Sequence, residues 1–370
     1  MMAISLACGM SCYNAVASEK VVKVYILAGQ SNMEGKGSPQ HLDTYKDDPL
    51  IKPWYAKVRD GDGWAERDDV MITCPTRHYG GAAHGPLTIG YGSKPNQPDT
   101  IGPELGFGIA VGEATDAPVL IIKTAWGGKS IYQNFRPPSA MPSDAEFEQM
   151  HAKAEKKYAS ALAAHQEKLE QNKNSKAPKP VQTLDKIKES YGAFYRKMIA
   201  HVQEELATVE SKFPELAGYK PELAGMVWHQ GYNDMVRGDL RETKYVDYTK
   251  WLAMLIKDVR KDLNAPNLNV VIGELGTGGV EQRGDFQAAQ AAVAELPEFK
   301  DSVVFVQTAQ YIDPVAAAYY KKKYPRGTDE QKALYKTVGS DRPFHYYGSG
   351  KTYFLKGVAF GQAMMKLEQK

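Results

Sequence analysis

Short runs of consecutive apolar residues recur along the chain and alternate with segments whose apolar positions return every three or four residues. The runs Val21 to Leu27, Val119 to Lys123, Ala224 to Trp228, Asn269 to Gly273 and Ser302 to Gln307 read as strands buried on both faces. Helical spacing follows most of them. A helix begins near Gly102-Pro103-Glu104, with proline and glutamate in its first turn and Leu105 and Ile109 on one face. Tyr245, Tyr248, Leu252, Leu255, Val259 and Leu263 mark another, and Phe354, Val358, Gly361 and Met365 the last. Strands alternating with helices predict an α/β fold: a parallel sheet covered on both faces, with ligands gathered at the C-terminal strand ends.

Two stretches interrupt this rhythm. From Gly35 to Gly102 the chain is rich in Gly, Pro and Asp and has no clear period, which predicts long loops beside the sheet edge. Within it Arg77-His78 and His84 offer nitrogen ligands, but no third ligand stands at a metal-binding spacing. Later, Phe147, Met150, Ala154, Tyr158, Leu162, His165 and Leu169 predict a charged amphipathic helix. A breaker-rich linker follows, then a second helix with Tyr191, Phe194, Met198, Val202 and Leu206 in register. The pair reads as a helical hairpin inserted at about 142–184, and its charge as a solvated face.

At 370 residues the chain is long enough for one large core with this insertion. Lysine plus arginine number 46 against 44 acidic residues, a balance that leaves no electrostatic footprint for nucleic acid or an anionic membrane. The partner expected is therefore a neutral or small substrate. Met1 to Ala17 carry an apolar stretch ending in Ala15-Val16-Ala17, a small-x-small site before Ser18. No lysine or arginine precedes it. We read residues 1–17 as a signal peptide, the protein as exported to a periplasmic or extracellular space, and residues 18–370 as the mature domain. Cys8 and Cys12 would leave with the peptide and Cys74 alone would remain, so the fold owes nothing to disulfides. No later run is long enough to span a membrane. Oligomeric state is not legible.

Each strand end carries a polar or glycine-rich turn. After the first strand comes Gly29-Gln30-Ser31-Asn32-Met33, with the serine at the strand edge where a hydrolase nucleophile stands. Taken alone, such a serine is more often a structural cap. The second strand ends in Trp126-Gly127-Gly128-Lys129-Ser130, and the third in His229-Gln230-Gly231-Tyr232-Asn233-Asp234. Asp341 and His345 precede the last helix. Acyl transfer needs a nucleophile, a base, a group orienting that base, and donors facing an oxyanion. These turns supply one of each.

Together with Gly102-Pro103-Glu104, these blocks resemble the SGNH hydrolase superfamily, in particular its sialate O-acetylesterase-like branch, carbohydrate esterase family six. The resemblance implies a flavodoxin-like three-layer α/β/α sandwich with a five-stranded parallel sheet. It also implies serine-dependent ester hydrolysis with no metal or other cofactor, on acetylated poly- or oligosaccharide or sialic acid. Carried onto this chain, it makes Ser31 the nucleophile, His345 the base and Asp341 its orienting acid. The oxyanion donors would be the N–H groups of Ser31 and Gly128 and the Asn233 amide, with Gln30 and Gln230 contacting substrate or supporting the donors. Two departures stand out. Gly231-Tyr232-Asn233-Asp234 fits the Gly-x-Asn-Asp block of the wider superfamily, whereas this branch usually has Gln-Gly-Glu, which Gln230-Gly231 half matches. Asp341 lies four residues before His345, where three is more usual. The competing expectations are an enzyme of the same fold acting on a non-carbohydrate ester, and a catalytically silent carbohydrate-binding protein.

Overall fold

The computed structural model describes residues 20–75, 84–93, 99–171, 173–276, 284–343 and 345–370. Its frame is a seven-stranded sheet: β1 (Val21–Gly29), β2 (Val70–Thr73), β3 (His84–Pro86), β4 (Val119–Ala125), β5 (Lys220–His229), β6 (Asn269–Gly273) and β7 (Val303–Val306). The spatial order is β3-β2-β4-β1-β5-β6-β7. All neighbours are parallel except β3, which runs antiparallel to β2. The five expected strands are all present, in the order second, first, third, fourth, fifth. The expected five-stranded sheet is nonetheless corrected to seven, because β2 and β3 extend it beyond β4.

Both added strands come from the stretch read as loops. Val70-Met71-Ile72-Thr73 is fully buried, but four residues flanked by Asp68-Asp69 and Cys74-Pro75 are too few to display a period. His84-Gly85-Pro86 has the composition of a turn and becomes a strand only by pairing with β2. The Arg77-His78 pair and the proposed signal peptide lie outside the described residues. His84 is exposed on the edge strand.

Alternation along β1 divides the core. Val22, Val24, Ile26 and Ala28 face a layer of helices at Ala193–Ala207, Val246–Asp262 and Asp285–Ala294. Tyr25 and Leu27 face the helices Pro103–Gly112 and Gly350–Glu368, which pack closely on each other. These two layers put the sheet in the middle, as a strand apolar on both faces requires. The inserted helix Asp144–Glu170 starts at a capping box formed by Ser143 and Glu146. Of its apolar stripe only Phe147 is buried, and Leu169 is 50% exposed. The helix Ala193–Ala207 turns Tyr195, Met198, Ile199 and Val202 onto the core instead. The expected hairpin reduces to a local contact at the helix base, where Phe147 meets Tyr191 edge-on at 5.1 Å.

Lys123, inside a strand read as apolar, is 1% exposed, and its Nζ donates to Glu104 Oε2 (2.6 Å), the Glu34 carbonyl (2.8 Å) and the Tyr91 carbonyl (2.7 Å). Glu104 in turn accepts from the Gly102 N–H. One buried ion pair thus ties β4 to the start of the Pro103–Gly112 helix and to the turn after β1. Its charges are tolerable inside because both are fully hydrogen-bonded.

Candidate active site

The parallel register brings three strand ends level: Gly29 stands opposite Ala125 on one side and His229 on the other. The chain leaves β1 toward β4 and later crosses to β5, so the three turns open at the point where strand order reverses. Gly29 is needed there. Its φ is +155°, and a Cβ would sit 2.2 Å from the His229 carbonyl oxygen. The chain then enters a single helical turn, Ser31–Glu34, capped by Gln30, whose carbonyl accepts from Met33 and Glu34. Ser31 opens that turn. Its backbone N–H, an orphan donor by position, and its Oγ bond nothing among the described residues, and the residue is 8% exposed.

The glycine turn after β4 lies against this serine, for a Cβ on Gly127 would be 3.6 Å from Ser31 Cβ. Gly127 N–H is already engaged, donating to Glu34 Oε1 at 2.7 Å. Gly128 N–H bonds nothing among the described residues, and its φ of +71° aims the peptide in a way that suits glycine. The far end of the turn is held by Asp234, wholly buried, whose carboxylate accepts from the N–H groups of Ile131 and Tyr132, both at 2.9 Å, and from Gln230 Nε2 at 2.7 Å. Burial pushes the Asp234 carboxyl up, and these three donors push it back.

The two amides after β5 differ in what they have left to offer. Gln230 is 0% exposed and spends its Nε2 on the Lys129 carbonyl (2.9 Å) and on Asp234. Asn233 is half-buried. Its Oδ1 accepts from Gln30 Nε2 at 3.4 Å, which orients the amide and leaves Nδ2 for another acceptor. Gln30 Oε1 also accepts from Gly231 N–H at 3.0 Å, so this side chain links the turn after β1 to the turn after β5.

The last helix is approached through the loop that carries Asp341 and His345. Ser340 Oγ donates to the Lys36 carbonyl (3.3 Å), and Tyr346 bonds both Asn32 and His229, which docks the loop beside the turn after β1. Asp341 is exposed at the start of the loop and His345 is half-buried. The His345 carbonyl accepts from Tyr353 Oη at 3.3 Å. Burial, then the neighbouring Lys36 charge, pulls the His345 imidazole down to about 4, against a smaller upward pull from Glu34. It is therefore neutral, with a lone pair to accept a proton, across the physiological range.

Behind it, His229 is fully buried and pulled down to about 3 by desolvation and by Lys356. A carbonyl can only accept, so Nδ1–H donates to Gly273 (3.2 Å) and Nε2 accepts from Tyr346 Oη (3.1 Å). Tyr346 and Tyr347, immediately after His345, have φ of 52° and 60°. Such left-handed tyrosines cost of order 1 kcal/mol or more each. The Tyr347 carbonyl holds them by accepting from Ser340 N–H and Tyr335 Oη, both at 2.9 Å.

The strand-end turns and the last loop thus converge on one edge. Sequence reasoning did not assign Glu34, Lys36, Asp234 or Tyr346. Asp234 closes one of the quoted blocks, and Glu34 stands one residue past another. Nothing local marks Lys36 or Tyr346.

Residues 21–179 and 181–313 match the family described as "Carbohydrate esterase, sialic acid-specific acetylesterase". The chain belongs to this family. The match takes in Ser31, Gly128, Gln230 and Asn233 and ends before Asp341 and His345. Among curated proteins no significant match exists. Among solved structures, NanS is 14% identical, with 96% of this chain and 99% of that one covered at a TM-score of 0.48. A protein from Arabidopsis thaliana is 15% identical, covering 93% and 98% at a TM-score of 0.45. A carbohydrate acetylesterase from Xanthomonas citri is 15% identical, covering 79% of this chain and 51% of that one at a TM-score of 0.42. Membership of this esterase rests on the matched sequence and not on those backbones. No helix among the described residues is long and apolar enough to cross a membrane.

Proposed function

We propose that this family member is a serine-dependent, metal-independent O-acetylesterase that removes acetyl groups from acetylated carbohydrate. The observation that carries the reading is the pair of unengaged donors beside an unengaged hydroxyl: Ser31 N–H and Gly128 N–H bond nothing among the described residues, and Gly127 abuts Ser31. Donors left open next to a nucleophile are what a tetrahedral oxyanion needs.

In this reading Ser31 Oγ attacks the acetyl carbonyl while neutral His345 accepts its proton. The oxyanion is held by Ser31 N–H, Gly128 N–H and Asn233 Nδ2. As the intermediate collapses and the ester C–O bond breaks, His345 gives that proton to the departing sugar oxygen, and water repeats the cycle on the acetyl-serine to release acetate. Asn233 is assigned the third donor over Gln230, whose amide hydrogens are already spent. Gln30 and Gln230 support the donors. Asp341 is proposed to orient His345, and the 1–17 segment to direct export. Residues 18–370 are proposed as one hydrolase domain carrying the helical insertion.

The test is acetate release from O-acetylated xylan, O-acetylated cello-oligosaccharides and O-acetylated sialic acid, set against aryl and long-chain esters. Preference for acetylated carbohydrate supports the reading. Preference for long acyl or simple aryl esters would replace the substrate class, and no turnover on any ester would leave a carbohydrate-binding protein.

A further inference from the structure

Beyond the strand-end turns, the stretch that begins at Gly127 continues into a second, separate feature. Arg136 is 4% exposed, yet its guanidinium has no hydrogen-bond acceptor and no carboxylate partner among the described residues, and its Nε is buried unsatisfied. Rings surround it instead: the guanidinium carbon lies 3.5 Å from the centre of Trp251, 5.5 Å from Tyr132 and 5.9 Å from Tyr191. The side chain lines a cavity of about 430 Å³ shared with Tyr132, Trp251, Met141, Glu146 and Asp247. That volume is in the range of small-molecule sites.

A buried guanidinium without an acceptor is costly; the charges of Asp234 and Asp247 act on it from a distance, but no carboxylate among the described residues pairs with it. Glu146 Oε2 is occupied by Ser143 N–H and Oγ at 2.7 and 2.8 Å. Asp239 is held by Arg237 at 2.5 Å. Burial pulls the Arg136 guanidinium down only to about 10, so the charge is present at neutral pH.

We propose that this cavity is a second subsite, which binds the carboxylate of an acidic sugar unit through Arg136. A planar fork of donors suits a carboxylate bidentately. Trp251 and Tyr132 are already stacked by Arg136 and Arg237, so they hold the fork in place, and the exposed Asp247 and Lys250 of the lining suit the hydroxyls of the sugar. Only the choice of a sugar, among carboxylate-bearing ligands, rests on the esterase reading above. The subsite also joins the reacting edge through the backbone, because Tyr132 N–H is fixed by Asp234. A polymer held here would present a neighbouring acetylated unit to that edge.

Calorimetric titration of the intact protein tests this with ligands that carry no ester, so the result is independent of whether the protein hydrolyses acetate esters. Glucuronate and N-acetylneuraminate are the acidic sugars that distinguish the two sources of the carboxylate, glucose is the neutral control, and acetate is the bare carboxylate. The expected result is binding of at least one acidic sugar roughly tenfold or more tighter than glucose or acetate, reduced by a similar factor in Arg136→Met. Arg136→Lys keeps the charge without the fork and should fall between. Equal binding of glucose, equal binding of acetate, an undiminished Arg136→Met, or no binding by the wild-type protein would each overturn the proposal. The comparison among wild-type ligands decides even if Arg136→Met fails to fold.

Discussion

Asp234→Asn isolates the support beneath the glycine turn. In the wild type, Oδ2 accepts from Ile131 N–H and Gln230 Nε2, and Oδ1 accepts from Tyr132 N–H. An asparagine keeps its oxygen on the two-donor side and sets an NH₂ against the Tyr132 N–H. One charge-assisted hydrogen bond is lost, about 1.5–3 kcal/mol, and a buried donor is left unsatisfied at about 1–3 kcal/mol. Removing a buried carboxylate recovers part of this, because burial had pushed that carboxyl up. The net is about 2–3 kcal/mol of lost unfolding free energy, read as a lower urea midpoint with unchanged slope. The distortion falls between Gly128 and Tyr132, so kcat for acetate release should drop about ten- to a thousandfold, up to the loss of one oxyanion donor, with KM moving less. Stability within about 0.5 kcal/mol of wild type, together with full kcat, would refute the idea that Asp234 sets the turn.

The pH profile follows from His345. With its imidazole pulled to about 4, the acid limb of kcat/KM should fall near pH 4 and not near 6.5, and Lys36→Met should move that limb upward. Stability carries the same sign: between pH 6.5 and 4 the unfolded histidine takes up a proton that the folded one refuses, so stability falls as pH drops through that window. A limb at 6.5 in the wild type would contradict the burial of His345. Glu104→Gln leaves Lys123 a buried, uncompensated charge and should cost about 3–5 kcal/mol by denaturant titration; a loss below about 1 kcal/mol would show that the pair does not anchor the turn after β1. Asp341→Asn should lower kcat by orders of magnitude if that carboxylate orients His345, and a loss below about tenfold would leave a Ser31–His345 dyad.

Much of this arrangement is legible in the chain because burial on both faces writes a strand as an unbroken apolar run. Val21 to Leu27 and Ala224 to Trp228 are such runs, and the turns that follow them carry the polar chemistry. The pattern fails where pairing or tertiary contact decides. Val70–Thr73 is a strand because it lies beside β4, and His84–Pro86 because it lies beside β2, neither with a local signal of its own. The stripe from Phe147 to Leu169 has helical period but no partner surface beyond its first turn, so period alone overstated what it buries. Lys123 sits in an apolar run as a charge whose three acceptors come from distant segments. The backbone of Tyr346 and Tyr347 is set by Ser340 and Tyr335, and no propensity for tyrosine predicts it.

The most direct measurement is acetate release by Ser31→Ala on the best acetylated carbohydrate, with folding checked by circular dichroism. Ser31 makes no hydrogen bond among the described residues through its hydroxyl, so its removal disturbs no contact there, and the variant should fold as the wild type does. The account predicts that turnover falls by orders of magnitude to a small residue from binding and the remaining oxyanion donors. A folded Ser31→Ala protein that releases acetate at the wild-type rate would contradict it.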